Sequence, residues 1–167
     1  MDVGEYMATV PFEMDVELQF LQGVVDRPAQ MAVALLELAG EECFFTPQHR
    51  VLRRHIKAQL DDLMAKGETT ARINFLLLLK SLQTVKEYPD GFPITEALLE
   101  LVSPRQGSRP SYSQCFHLAQ ILRDLESRRS IRNVALQLLE TAATGGREKL
   151  QGVLSIVHGF SSSQKAR

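Results

Sequence analysis

The sequence predicts an all-α protein, in which a compact bundle of about five short helices precedes a long antiparallel helical hairpin. Three observations lead to this fold class. Apolar residues recur at helical spacing through most of the 167 residues. Prolines and glycines divide the chain into segments of helix length. No stretch has the strict alternation that identifies a strand. One compact domain with an appendage is therefore expected.

The first helix is expected to begin near Asp15, after a flexible arm at residues 1–12. Its apolar residues fall four apart on one face. They are Val16, Phe20 and Val24. Arg27-Pro28 ends this helix, because the residue before a proline disfavours helical backbone. Pro28 then opens a second helix, which stops at Gly40.

The third helix is predicted from Pro47 to about Lys66, and Gly67 ends it. Its apolar stripe is Leu52, Ile56, Leu60 and Leu63, and the residues predicted off this stripe are Arg50, Arg53, Arg54 and Lys57. The fourth helix carries Ile73 through Leu82, with Thr69 or Thr70 as its cap. Because it is apolar nearly all round, it is predicted to be the buried centre of the bundle.

A turn cluster at 88–93 leads into a short fifth helix, predicted from Ile94 to Val102. The proline- and glycine-containing segment 103–111 is the clearest boundary, so the bundle head is assigned to 13–103 and the hairpin to 111–158. The hairpin helices, Tyr112 to about Ala143 and Glu148 to Val157, flank Gly145-Gly146. Residues 159–167 form a polar tail that is predicted to be flexible.

One stretch of the head joins two aromatic residues to a helix start and a His-Arg pair. It contains Phe44, Phe45, Thr46, Pro47, His49 and Arg50. Thr46 is expected to cap the free N–H groups of the third helix, and Pro47 suits its first turn. Phe44 and Phe45 are expected to anchor this turn in the core, and the alternative is an exposed binding pair.

This stretch resembles the aromatic–x–x–x–His–Arg turn found near the start of bacterial replicative helicases of the DnaB family. The family's opening is similar to Pro11, Asp15, Glu17 and Leu21, although Gly23 lies one residue later than in the family pattern. Residues 94–99 resemble a later family segment but lack its tyrosine. Residues 112–142 are similar to the first helix of the family's hairpin.

The resemblance covers about residues 11–157 and implies a module of DNA replication. In this family the hairpins pair in dimers, and the dimers form a trimer-of-dimers collar that receives primase and helicase loaders. The helicase-binding domain of bacterial primases has a related fold. The RecA-like motor of the helicases is missing, because the sequence has no G-x-x-x-x-G-K-[ST] loop. The chain is therefore expected to be non-enzymatic.

Two versions of this reading stay open. The chain is either an excised N-terminal domain of a replicative helicase or a stand-alone phage or plasmid protein that acts on the host helicase. The near-complete coverage of the chain by the resemblance favours the stand-alone protein.

A two-helix hairpin cannot bury both of its broad faces within itself, so a homo-oligomer, a dimer or higher, is expected. The predicted interface residues are Tyr112, Phe116, Leu122, Leu125, Arg128, Arg129, Arg132, Leu138, Leu150 and Leu154. The arginine cluster at 128–132 has three interpretations: solvation, a protein partner or a nucleic-acid backbone. Residues 1–49 carry a net charge of −8 and residues 50–167 a net charge of +7. A nucleic-acid-binding accessory protein that uses the basic second half is thus the alternative function, and two solvated faces of one domain the simplest reading of the charges.

No catalytic, cofactor or metal site is predicted. His49 has no positioned partner that the sequence makes evident, and His55 lies nearly opposite it on the helix. Cys43, His49 and His55 lack zinc-ligand spacing. Two cysteines and an acidic N-terminus without a signal-peptide pattern fit a cytoplasmic protein. No apolar run is long enough to span a membrane.

Overall fold

The computed structural model describes residues 10, 13–85, 94–103, 109–144 and 146–165, and every regular element in those ranges is helical. The α-helices are α1 (Met14–Val25), α2 (Ala29–Leu38), α3 (Pro47–Ala65), α4 (Phe75–Gln83), α5 (Ile94–Val102), α6 (Tyr112–Thr144) and α7 (Arg147–Lys165). A single 3₁₀ turn, Glu41–Cys43, lies between α2 and α3. The predicted all-α class is confirmed. The predicted arm, apart from residue 10, and the turn at 88–93 fall outside the described residues.

Most helix bounds follow the prolines and glycines of the sequence. Pro47 occupies the first turn of α3, and Gly67 follows the helix with a φ of +76°, a left-handed conformation that favours glycine. The bounds of α5 agree with the predicted Ile94 to Val102. The last helix is longer than predicted, because α7 continues past Val157 to Lys165. Serine disfavours a helix interior only slightly, so the serine run at 161–163 does not end it.

The chain divides into two compact units, and the boundary falls inside α6. One unit is Phe12–Glu126, which we call the head unit. The other unit contains Ser127–Arg167, which we call the C-terminal unit. The predicted boundary was the segment 103–111 instead. The reason for the difference is that the first turns of α6 pack into the head. Its core contains Phe20, Leu21, Leu35, Phe44, Leu52, Ile56, Leu60, Leu101, Cys115, Leu118 and Leu122.

Polar contacts hold both sides of the segment 103–111 against the end of α1. Gln22 Nε2 donates to the carbonyl of Glu100 at 2.7 Å, and Arg27 Nη2 donates to the carbonyl of Pro110 at 2.6 Å. The Arg109 guanidinium contacts Asp26 Oδ1 at 2.6 Å and the Val102 carbonyl at 2.9 Å. These contacts explain why the described residues at both ends of this segment belong to one compact unit.

Gly23 lets α1 and α6 approach each other closely. A methyl group placed on Gly23 would collide with the Sγ of Cys115 and would lie 3.0 Å from Pro110 Cγ. Cys115 itself is fully buried. The absence of a side chain at Gly23 is therefore what allows this helix pair to pack.

The prediction that the fourth helix is the buried centre is wrong. In α4, Leu78 and Leu82 are buried, but Leu76 and Leu77 are 61% and 52% exposed. The cap is also not Thr69 or Thr70. The Asn74 side chain accepts hydrogen bonds from the N–H groups of Leu76 and Leu77 at 3.0 and 3.2 Å. A helix of this length at the edge of a small core buries one face, whatever residues occupy the other.

The C-terminal unit presents its apolar residues differently. Its described large hydrophobic side chains include several that are exposed: Ile131, Leu136, Leu139, Leu154 and Ile156. The ranges of α6 and α7 agree with the two predicted hairpin helices, and the long helix from Tyr112 to Thr144 supports that part of the prediction. Antiparallel packing of α6 against α7 stays a prediction.

Candidate functional site

The carboxylate of Glu17 is the centre of the most ordered polar site in the head unit. Glu17 lies on α1 and is 1% exposed. It accepts hydrogen bonds from the Phe45 N–H at 2.5 Å and the Thr46 N–H at 3.3 Å, and its Oε2 lies 2.8 Å from Nδ1 of His49. We call Glu17, Phe45, Thr46 and His49 the Glu17 junction. It ties α1 to the turn that precedes α3.

The junction corrects the predicted role of Thr46. Thr46 is the N-cap residue of α3, as expected, but its side chain makes no capping hydrogen bond. Glu17 instead accepts from the N–H groups of Phe45 and Thr46, which precede the helix, so it fixes the turn that enters α3 and does not cap the free N–H groups of its first turn. Arg50 closes the turn from the opposite end, since its Nε donates to the carbonyl of Phe44 at 2.5 Å. His49 therefore binds α1, whereas Arg50 binds the turn that precedes its own helix.

The electrostatics of the junction favour an ionised carboxylate. Burial raises the pKa of Glu17, but the hydrogen bonds from His49, Phe45 and Thr46 together lower it by more than burial raises it. The pKa of Glu17 therefore lies below its ordinary value of 4.5. A charged acceptor forms stronger hydrogen bonds than a neutral one. Because an ionised Glu17 has no proton to give, Nδ1–H of His49 is the donor in their contact.

The two predicted aromatic anchors have different environments. Phe44 is fully buried and packs its ring against Phe20 with the centroids 6.1 Å apart, whereas Phe45 is half-buried. Arg53 lies over the ring of Phe44. Its guanidinium carbon is 5.9 Å from the Phe44 ring centre, and it donates to the carbonyls of Ala39 and Leu36 at 3.0 and 2.9 Å. Burial lowers the pKa of Arg53. This arginine thus satisfies the carbonyl end of α2.

A glutamate that orients a histidine is part of many catalytic sites, but here the geometry supports a structural role. A general base must reach a substrate, and His49 is only 5% exposed. Its Nδ1 is committed to Glu17, and that carboxylate is committed to the backbone of the turn. The pair holds two parts of the chain together.

A second histidine contact joins α3 to α4. His55 Nδ1 lies 3.0 Å from the hydroxyl of Ser81, and that hydroxyl donates to the carbonyl of Leu78 at 2.8 Å. Burial lowers the pKa of His55. Because the serine proton is directed at Leu78, the hydroxyl serves His55 as an acceptor. This arrangement does not activate Ser81 as a nucleophile.

The predicted interface residues lie in both units, and the first four of them belong to the head unit. Leu122 and Leu125 are buried within the head unit, so they do not offer a surface to a second chain. This corrects the predicted interface, and the reason is that α6 uses its first turns to complete its own core. Tyr112 is half-buried and packs edge-on against Phe116, which is exposed.

The remaining interface residues belong to the C-terminal unit. Leu154 is exposed and Leu138 half-buried, while the side chain of Leu150 lies outside the described part. Within the arginine cluster, Arg128 is exposed, Arg132 is half-buried and Arg129 is only 8% exposed. Arg129 is thus poorly placed to contact a phosphate backbone.

Beyond these contacts, the described residues offer few candidate sites for a metal ion, a membrane or a disulfide. In the described ranges, no cluster of three or more histidine, cysteine, aspartate or glutamate residues is placed to hold a metal ion. Among the same residues, no helix is both long and apolar enough to cross a membrane. Cys43 and Cys115 are free thiols, and both are buried.

The fold and the site define an all-α protein whose buried polar contacts fix the entry to its third helix. Comparison of the chain with models of known protein families, with curated proteins and with solved structures gives no match.

Sequence reasoning missed Glu17 as the partner of His49. One signal was present: Glu17 falls on the same side of α1 as Phe20, Leu21 and Val24, where an acidic residue must find a partner or stay unburied. The distance of 32 residues between Glu17 and His49 hides the pairing itself.

Proposed function

We propose that this chain is a non-catalytic DNA-replication module that self-associates through residues 111–158 and docks a replicative helicase, primase or helicase loader. The observation that carries the proposal is the set of exposed apolar side chains on α6 and α7 beyond Glu126, of which Leu139 is the most exposed at 61%. Exposed apolar surface of this kind is typical of protein–protein contact sites.

The resemblance to the N-terminal region of DnaB-type helicases supports the same function. Its residues form a coherent unit in the head: His49 and Arg50 both bind at the turn that also contains Phe44 and Phe45. Glu17, from the opening segment of the resemblance, is the residue that His49 contacts. On this proposal the His-Arg turn is a structural joint of the module, and the module works in the cytoplasm.

The two histidine contacts of the head, Glu17–His49 and His55–Ser81, both serve packing. Activity as a helicase needs a nucleotide-binding motor, which the sequence given does not contain.

Two measurements test the proposal. Light scattering on the purified chain at tens of micromolar should give the mass of a dimer or a larger assembly, and a strict monomer would contradict self-association. Immobilised chain should retain a DnaB-type helicase from solution, and Leu139→Glu should leave the fold intact while reducing self-association. Failure to retain helicase, primase or loader would remove the docking role.

Binding of nucleic acid is the competing function, and a salt titration separates the two. A protein that binds through phosphate contacts loses affinity steeply as salt rises. We expect no binding to single- or double-stranded DNA at low salt, because Arg129 is buried and Tyr112 and Phe116 pack edge-on against each other.

A further inference from the structure

The exposed face of α4 carries apolar side chains that the core of the head unit does not use. Leu76 and Leu77 are adjacent, and both are more than half exposed. Lys80 lies one helical turn beyond them, and Arg72, which precedes the helix, lines a cleft together with Leu77. We call these four residues the leucine face.

A cleft lies beside this face. It has a volume of about 250 Å³. Its lining contains two leucines, two cations, two acids and three further residues: Leu63, Leu77, Lys66, Arg72, Asp62, Glu68, Gln59, Ala71 and Asn74. Sites for small organic ligands are usually larger, at about 300–1,000 Å³. A cleft of this size instead suits one apolar side chain of a bound protein segment.

The charges around the leucine face specify the partner's chemistry. Lys66 is paired with Asp62 at 2.6 Å, and the pKa of Lys66 is raised by Asp62 and, to a smaller extent, by Glu68. Glu68 also lines the cleft, so three cations, Lys66, Arg72 and Lys80, stand against two acids, Asp62 and Glu68, around the leucine face. Arg72 and Lys80 are exposed, and in the described part of the chain neither has an anionic partner. Unpaired cations beside exposed leucines favour a partner that is both apolar and acidic.

The direction of α4 adds to this preference. Leu76 and Leu77 belong to its first turn, where the helix dipole carries partial positive charge. Asn74 satisfies two of the N–H groups there, so the dipole attracts an acidic segment without itself forming an anion site.

We propose that the leucine face is the docking site for an acidic amphipathic helix of a partner protein, which inserts an apolar side chain beside Leu77 and places carboxylates near Arg72 and Lys80. Amphipathic helices commonly bind by laying an apolar face on such a surface. The inference rests on the proposed function only in assuming that the head unit receives a partner. It deepens that function by assigning partner docking to the head and leaving self-association to the C-terminal unit.

The test uses the full chain and two labelled synthetic peptides of about 18 residues, long enough for five helical turns. One peptide carries leucine at amphipathic spacing with glutamate elsewhere, and the other replaces each glutamate with lysine. Fluorescence anisotropy should show binding of the acidic peptide and weaker or no binding of the basic one. Leu77→Ala should weaken the acidic peptide about tenfold, because it removes most of an apolar contact. Lys80→Glu should weaken it about fivefold.

Leu99→Ala is the matched control, because Leu99 is an exposed leucine of the head unit at 60% on a different helix. It should leave peptide binding unchanged. Equal binding of the two peptides, or binding that Leu77→Ala does not weaken, would overturn the proposal. It is also overturned if the acidic peptide fails to bind at millimolar concentration, or if Leu77→Ala disrupts self-association, which would make a second copy the occupant. Sedimentation of Leu139→Glu tests self-association separately, so the two failures are distinguishable.

Discussion

The described apolar side chains that are buried, among them Phe44 and Leu35, all lie in the head unit, whereas beyond Glu126 Leu139 and Ile156 are 61% and 50% exposed. The head also fixes its turns with buried polar contacts that connect distant parts of the chain, such as Glu17 to His49. Both units expose apolar side chains, since Leu76 of the head is as exposed as Leu139. The difference is that the head has an internal core, while the described part of the C-terminal unit has apolar surface and no buried apolar side chain.

Removing the Glu17 carboxylate should produce the largest loss of stability. Glu17→Ala leaves the Phe45 N–H and the His49 ring without their acceptor inside the protein. Each buried donor left without an acceptor costs about 1–3 kcal/mol, so the loss of several such acceptor contacts at once makes this the largest effect. Urea unfolding followed by circular dichroism measures this loss. Glu13→Gln, an exposed change four residues earlier, should stay within about 0.5 kcal/mol, and equal effects of the two would contradict a central role for the junction.

Acid should weaken the same junction by protonation, with a smaller loss than the truncation, because a neutral carboxyl keeps acceptor oxygens. The pKa of Glu17 is lower in the folded chain than its ordinary value of 4.5. Its contribution is therefore fully present above pH 4.5 and is lost as pH falls through the lower folded pKa. Unfolding free energies of the wild type and Glu17→Gln should converge below that point. A constant gap between them at every pH would show that protonation of Glu17 is not linked to folding, and would contradict this prediction.

Paired glycine substitutions distinguish the two units most directly. Gly23→Ala should destabilise the head by about 1–3 kcal/mol, because the new methyl group meets Cys115. Gly152→Ala, in the middle of α7, has nothing within 4 Å of the new carbon and should stabilise its helix by about 0.5–1 kcal/mol. Thermal unfolding of both variants gives the two signs. Similar shifts in the same direction would break the contrast.

Two helix-start variants should have the smallest effects and should differ from each other. Asn74→Ala removes the side chain that caps α4 and should cost about 1 kcal/mol. Thr46→Ala should cost less than about 0.5 kcal/mol, since its side chain caps nothing and Glu17 still binds the backbone. Denaturant midpoints report both, and a larger cost at Thr46 would restore the capping role that the sequence suggests.

The fold was predictable from local signals wherever those signals decide the structure. Pro47, Gly67 and the apolar spacing of α3 and α5 define helices close to the observed ones. Burial was harder to predict, because it depends on which elements meet. Leu76 and Leu77 look as apolar as Leu78, yet the core of the head contacts only one side of α4. The same limit applies to α6, whose first turns join the head rather than an oligomer interface.

The site was predictable in its residues and not in its contacts. His49, Arg50, Phe44 and Thr46 stand out in the sequence as a unit. Their partners lie elsewhere in the chain: Glu17 comes from α1, and the carbonyls that Arg53 binds come from the end of α2. Contacts over such distances follow from packing, which the local pattern of a single sequence does not reveal.

We propose above that copies of this chain associate through the C-terminal unit. Sedimentation velocity of the wild type, Leu139→Glu and Leu99→Glu tests it most directly, because the two leucines are almost equally exposed and lie in different units. We expect a dimer or larger species for the wild type and for Leu99→Glu, and a shift toward monomer for Leu139→Glu. A monomeric wild type, or an assembly that Leu139→Glu leaves unchanged and Leu99→Glu disrupts, would contradict it.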